Sequence, residues 1–270
     1  SMPLPANKME LPAPRGELQL TELVITPPGA AAPVIRNVSM SIGQGTILAV
    51  IGPSASGKST LVRAMLGLSR PSSGTVRLDG AEIDQWNREK LGPHVGYLPQ
   101  DIELLDGTVA ENIARFGPIE ARKVVAAAQA AGVHEMILRL PEGYNTRLVG
   151  GVVSAGQRQR IGIARALYGA PSLIVMDEPN SNLDREGEAA LARTLGVLKR
   201  AGCTVIVVTH RRNLLHCADR ILVMAKGQLS MYGSRDKVLA ALQQTQATKP
   251  APSAPRVAAL GGVAKQARSP

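Results

Sequence analysis

The stretch Gly52-Pro53-Ser54-Ala55-Ser56-Gly57-Lys58-Ser59-Thr60 constrains the fold of this chain more than any other feature. It follows an all-apolar run, Ile47-Leu48-Ala49-Val50-Ile51, flanked by Gly45 and Gly52. A run so short and without polar alternation has the form of a strand buried on both faces of a sheet. The pattern GxxxxGK[ST] between such a strand and a helix makes a loop whose backbone N–H groups converge on an anion, and the helix adds the positive end of its dipole. Lys58 is then expected to reach the β and γ phosphates of a nucleotide and Ser59 to offer its hydroxyl to Mg²⁺.

A buried strand needs neighbours, and two more segments have the same form: Ser172 to Met176 and Thr204 to Thr209. Between the first strand and these lies a helix-rich stretch, Thr108 to Leu140, with an Ala-rich segment of high helix propensity from Glu120 to Ala131. Short apolar strands separated by helices predict an α/β fold with a parallel sheet, whose ligands bind at the carboxyl ends of the strands. Leu18, Leu20, Leu23 and Val24, then Val34 to Ile42, are β-compatible runs split by the Pro27-Pro28-Gly29 turn. They predict an antiparallel unit at the start of the domain.

The 270 residues, 44% apolar, suffice for one large domain or a core with an inserted subdomain. No window approaches the roughly 18 consecutive apolar residues of a membrane span, and the start lacks the basic and apolar regions of a signal peptide. The chain is therefore expected to stay in the cytosol. Cys203 and Cys217 form no CxxC pair and read as buried or incidental thiols. Ser1 to Gly16, rich in Pro and small residues, reads as a linker whose first two residues resemble a cloning remnant. After Lys237 the last helix is expected to fade, leaving 243–270 as a disordered tail. The net charge of +10 invites a nucleic-acid reading, but Lys249, Arg256, Lys265 and Arg268 of the tail supply part of it. With 2% aromatic residues there is little to build a base-stacking platform.

Leu173 to Met176 runs into Asp177-Glu178, two carboxylates at the strand tip where the phosphates are expected. Asp177 suits the Mg²⁺ shell, and Glu178 suits orienting or deprotonating the attacking water. Upstream, Ser154-Ala155-Gly156-Gln157-Arg158-Gln159-Arg160 begins a helix with Ser154 as N-cap. Here the chain resembles the ABC ATPases, whose LSGGQ signature precedes the Walker B strand by a similar interval. The resemblance implies that Ser154, Ala155, Gly156 and Gln157 address the γ phosphate held by another copy of the protein. Tyr97-Leu98-Pro99-Gln100 resembles the Q-loop, with Gln100 at Mg²⁺ or the water. Ser181-Asn182-Leu183-Asp184 resembles the D-loop, implying that Asp184 lies at the dimer interface. Val205 to Thr209 followed by His210 resembles the switch-histidine strand, with His210 at the γ phosphate.

The match runs from Glu17 to about Leu242. It implies a RecA-like parallel-sheet core, an antiparallel β subdomain and an inserted helical subdomain at about 101–165. Leu98 to Asp101, Leu104 to Ile113 and Leu140 to Thr146 are similar to exporter runs. The SAGQRQR form, Glu178 to Asp184 and the linker Leu11 to Gly16 are most similar to the protease-secretion (PrtD-like) ATPases of type I secretion systems. That branch joins the ATPase to a membrane domain and works with a membrane-fusion protein and an outer-membrane channel at the cytoplasmic face of the bacterial inner membrane.

Three departures stand out. Pro27 occupies the place where many relatives stack an aromatic ring on adenine, leaving aliphatic groups such as Ile25 and Val34. Ala155 replaces the commoner Gly, which would cost about 1 kcal/mol if the position required φ > 0. Leu148-Val149-Gly150-Gly151-Val152 is shorter than the family's VGEGG segment and lacks its glutamate. The expected function is MgATP binding and hydrolysis between two head-to-tail copies, driving polypeptide export. The alternative is a soluble ABC ATPase acting on nucleic acid or ribosomes, favoured only by the basic charge.

Overall fold

A computed structural model, which describes residues 11–149 and 152–247, has a four-stranded and a six-stranded sheet with a buried apolar cluster on each face of the larger one. The chain opens with β1 (Leu18–Ile25) and β2 (Ile35–Ile42), an antiparallel pair around the Pro27–Pro28 turn. Next come β3 (Ile47–Ile51), α1 (Lys58–Met65), β4 (Ser73–Leu78), β5 (Ala81–Glu82), α2 (Arg88–Leu91) and β6 (Val95–Leu98). A helical insertion follows: α3 (Val109–Ile113), α4 (Ala121–Ala130), α5 (His134–Leu138) and α6 (Ala155–Leu167). The chain then returns to the core through β7 (Leu173–Asp177), α7 (Arg185–Arg200), β8 (Thr204–Val208), α8 (Arg212–Cys217), β9 (Arg220–Ala225), β10 (Gln228–Ser234) and α9 (Arg235–Ala247).

The larger sheet has the order β10-β9-β3-β8-β7-β6, parallel from β9 to β6; the smaller one has the antiparallel order β2-β1-β4-β5. Side-chain alternation explains why the parallel strands read as unbroken apolar runs. Leu48, Val50, Leu173, Val175, Ile206 and Val208 pack with the small sheet and α1, while Ala49, Ile174, Met176, Val205 and Val207 pack with the helices on the other face. Both faces are covered, so both parities of residue are apolar along these strands except at their ends, where Thr204 and Asp177 are buried.

The expected antiparallel and parallel units are present, and the helical insertion holds α3 to α6. The last helix does not fade after Lys237 but continues to Ala247. Residues 1–10, Gly150, Gly151 and 248–270 lie outside the described residues, and with them most of the expected linker, part of the departure before the signature, and nearly all of the expected tail. The described end of the linker is anchored: Leu11 packs against the core, and the Asp79 carboxylate accepts hydrogen bonds from the backbone N–H groups of Gly16 and Glu17. Among the described residues, no helix is long and apolar enough to cross a membrane.

Candidate functional site

The strand order decides what meets at the carboxyl edge of the large sheet. Because β8 inserts between β3 and β7, with Val208 in register with both Val50 and Asp177, the loops after β3, β8 and β7 lie side by side. The loop after β6 borders them on the far side of β7. The segments around Lys58, His210, Asp177–Glu178 and Gln100 are thus brought to one edge, where ligands of parallel sheets bind.

The phosphate-loop segment fills Gly52 to Gly57 and runs into α1. A Cβ on Gly52 would stand 2.3 Å from the Met224 carbonyl oxygen, and one on Gly57, at φ 95°, 2.7 Å from Ile35 Cδ1. Both positions therefore require glycine. Ala55 adopts φ 60°, Pro53 and Ser54 are exposed, and Thr60 is half-buried in α1. Lys58 is 7% exposed; its Nζ donates to the carbonyls of Gly52 and Pro53 at 2.9 and 2.8 Å, which aims the ammonium across the loop. Ser56 Oγ is buried without a hydrogen-bond partner.

Asp177 closes β7 at 2% exposure. Burial pushes its carboxyl above the ordinary carboxylate range, and Glu178 adds to this; the nearby Ser59 hydroxyl and the charges of Arg63 and Lys58 oppose the shift. One oxygen, Oδ1, has no protein partner. A buried carboxylate with an open oxygen, close to a hydroxyl, fits a hard divalent cation that takes one or two carboxylates and fills its remaining positions with phosphate and water.

Glu178 leaves the strand at φ 50°, a conformation that costs a non-glycine residue about 1–2 kcal/mol. The turn is held by Glu178 N–H donating to the Val208 carbonyl, and it sets the carboxylate between two neighbours. Gln100 Nε2 donates to Glu178 Oε2 at 3.4 Å, and His210 Nε2 stands 3.9 Å from Oε1. Strain kept at one side chain so that it faces two polar partners is the pattern of a functional position.

Ser154 caps α6 in a reciprocal pair: its Oγ accepts from Gln157 N–H, and Gln157 Oε1 accepts from Ser154 N–H. Ser154 and Ala155 are exposed. Ala155 opens the helix and is not among the residues with positive φ, so its methyl carries no backbone penalty. Gly156 is required: a Cβ there would stand 2.9 Å from the Asn182 carbonyl oxygen. Asp184 caps α7 through Gly187 N–H and pairs with Arg160 at 2.9 Å.

One expectation fails on packing. Ile25 is 2% exposed, paired with Ile35 inside the small sheet, and offers no surface to a nucleobase. Val34, half-buried beside Gly57, remains.

Gln159 went unassigned in the sequence, yet it is buried and its Nε2 donates to the Pro179 carbonyl at 2.9 Å, tying the signature helix to the loop after Glu178. The signal was its position: it shares a helical stripe with the buried Gly162, Ile163 and Ala166, and a polar residue on an apolar stripe needs an internal partner.

A parallel sheet edged by a phosphate loop, paired carboxylates and a capped signature helix defines a nucleotide-binding α/β protein of the RecA-like class. Residues 35–181, more than half of the chain, match the ABC transporter family, and the chain belongs to it. It is 47% identical over 96% of its length to the type I secretion system ATP-binding protein PrsD of Rhizobium meliloti, covering 45% of that protein. It is 42% identical over 87% of its length to the cyclolysin secretion/processing ATP-binding protein CyaB of Bordetella pertussis, covering 33% of it. Among solved structures, a bacterial Atm1-family ABC exporter with ATP bound superposes with a TM-score of 0.80 at 29% identity, over 92% of this chain and 44% of the exporter chain. The chain thus spans between a third and a half of the length of these relatives, and its fold is that of an ABC exporter ATPase.

Proposed function

We propose that residues 17–242, with the helical subdomain at about 101–165, hydrolyse ATP between two head-to-tail copies and power type I secretion of a polypeptide. The observation that carries this reading is the division of labour at the tip of β7: Asp177 is buried with an oxygen that no protein group bonds, whereas Glu178 turns out between Gln100 and His210. In this reading Gly52 to Thr60 cradle the phosphates with backbone N–H groups, and Lys58 exchanges its two carbonyl partners for β and γ oxygens. Ser59, Asp177 and Gln100 hold Mg²⁺, which when bound neutralises charge on those oxygens. Glu178 accepts a proton from the attacking water as the water oxygen bonds to the γ phosphorus and the bond to the bridging oxygen breaks. His210 steadies the developing charge. Ser154, Ala155, Gly156 and Gln157 of the second copy close over the γ phosphate, with the Asp184 segment along the same interface. The relatives' names support the secretion reading. The family resemblance adds, as part of this proposal, a membrane domain, a membrane-fusion protein and an outer-membrane channel as partners and the cytoplasmic face of the inner membrane as the place of action.

The test is Glu178→Gln, which keeps size and hydrogen-bonding reach while removing the base. Steady-state hydrolysis should fall by roughly 10²- to 10⁴-fold with ATP binding retained. Hydrolysis at the parent rate would remove Glu178 from the chemistry.

A further inference from the structure

Arg115, between α3 and α4, makes an unusual set of contacts. Its five N–H donors meet five backbone carbonyls: Nε donates to Arg165 O at 3.0 Å, Nη1 to Gly92 O and Val95 O at 2.9 Å each, and Nη2 to Ala166 O at 3.1 Å and Tyr168 O at 3.4 Å. No carboxylate is among them. Three of these carbonyls belong to the end of α6 and its C-cap, where a helix leaves carbonyls unpaired and concentrates negative partial charge. Of the other two, the Val95 carbonyl opens β6, beyond which the large sheet has no further strand among the described residues, and the Gly92 carbonyl lies in the short turn, 92–94, that leads into it. The guanidinium is buried enough to lower its pKa, with Arg165 adding to the effect, so the arginine is held against both desolvation and a like charge. Its backbone, at φ 57°, and that of Phe116, also at φ 57°, occupy the left-handed region. Burial, like charge and strain are all borne at one position whose side chain does nothing but join two elements.

Those elements are the two that carry remote parts of the site. Helix α6 starts at Ser154, and at 1.5 Å per residue its length is about 20 Å, a rigid rod with Arg115 at its far end. Strand β6 runs through Pro99 into Gln100, which contacts Glu178. On the other side of Gln100, Arg165 of α6 donates to the Glu103 carbonyl at 2.9 Å, so the Gln100 segment is attached to the same helix end both before and after the glutamine.

We propose that Arg115 is a positioning residue that makes the signature helix and the Gln100 segment move as one unit, so that the seating of Ser154 over a second copy's nucleotide is coupled to the contact Gln100 makes with Glu178. The proposal rests on the catalytic reading above. It places nothing of Arg115 at the nucleotide itself, so it separates binding from closure and turnover.

The test uses Arg115→Gly, which accepts the left-handed backbone without strain, and Arg115→Lys, which keeps a charge but lacks the five-donor fork. Each is measured alone for hydrolysis and in the Glu178→Gln background for ATP-driven dimerisation by light scattering. The expected result for both is an unchanged KM and monomer ATP affinity within about twofold, with kcat and the dimerisation constant each reduced at least tenfold. If Arg115→Gly does not fold by circular dichroism, Arg115→Lys carries the same comparison. Parent values of kcat and dimerisation in the folded variants would overturn the proposal, and so would a parallel loss of ATP affinity, which would mark a merely structural role. Failure of Glu178→Gln itself to dimerise with ATP would instead overturn the catalytic reading, before Arg115 enters.

Discussion

At the residue scale, the site combines groups whose local cost makes sense only with a ligand. Lys58 gives up hydration to lie over two loop carbonyls, Asp177 is buried with an open oxygen, and Glu178 holds a left-handed backbone. Lys58 is the clearest to test. Its contacts with phosphate would be charge-assisted hydrogen bonds worth about 1.5–3 kcal/mol each, while those it makes to the loop close a surface turn. Lys58→Ala should therefore weaken ATP binding by roughly 10²-fold or more while leaving the fold intact. Calorimetric titration together with circular dichroism measures both, and an unchanged ATP affinity would remove the assignment of this loop to phosphate.

At the element scale, helix α3 shows how a short helix survives in the inserted subdomain. Thr108 Oγ1 accepts from Glu111 N–H, and Glu111 Oε2 accepts from Thr108 N–H, while Val109 and Ile113 enter the core. The bond to Thr108 holds the Glu111 carboxyl below its ordinary value of 4.5. A folded-state pKa lower than the unfolded one contributes stability that is present above 4.5 and lost as pH falls through the lowered value. Thermal melts of parent and Glu111→Gln should thus differ at neutral pH, the parent melting higher, and converge in acid; a gap independent of pH would show that the charge has no part. The β1–β2 turn makes a second prediction. If Pro27 stands at the place of the adenine-stacking ring, as the family resemblance implies, then with Ile25 buried the base has little to rest on and the phosphates carry the affinity. ATP and GTP should bind within about tenfold of each other, or 1.4 kcal/mol, in competition with a fluorescent nucleotide. A larger preference for ATP would mean that groups elsewhere read the base.

At the scale of the whole molecule, the exposed Ser154 and Ala155 at the start of α6 and the exposed Gln100 leave polar surface around the site that a second copy would cover. Studied as these 270 residues alone, two copies meet only at their bulk concentration, and the chain should be monomeric when empty. ATP supplies the negative charge between the two basic phosphate-loop regions, so Glu178→Gln should scatter light as a dimer with ATP and as a monomer without it. Adding Ser154→Arg puts a bulky cation at the helix cap and should restore the monomer. A double variant that still dimerises with ATP would place the interface elsewhere.

How much of this was legible in the sequence follows from how local each cause is. Although the contacts that exclude a side chain at Gly52 and Gly57 come from Met224 and Ile35, distant in the chain, the loop was legible from its own residues, because GxxxxGK[ST] between a strand and a helix is a local pattern. The same holds for the Ser154 cap, the Asp177–Glu178 tip and the buried parity of β3, β7 and β8. The Gln-rich composition after Leu242 has the look of a tail, yet α9 runs on to Ala247, since Gln and Ala are good helix formers and Val238, Leu239 and Leu242 hold the helix on the core. Ile25 looked available because a β-branched residue beside a turn gives no sign of which face it takes; pairing with Ile35 turned it inward. Strand order was not legible either, since β8 follows β7 in the chain yet lies between it and β3, and only that order sets His210 beside Glu178. Nor could the sequence distinguish Arg115 from the other arginines: its five acceptors are backbone carbonyls, which every residue possesses, and only the approach of α6 to the edge of β6 gathers them within reach of one guanidinium.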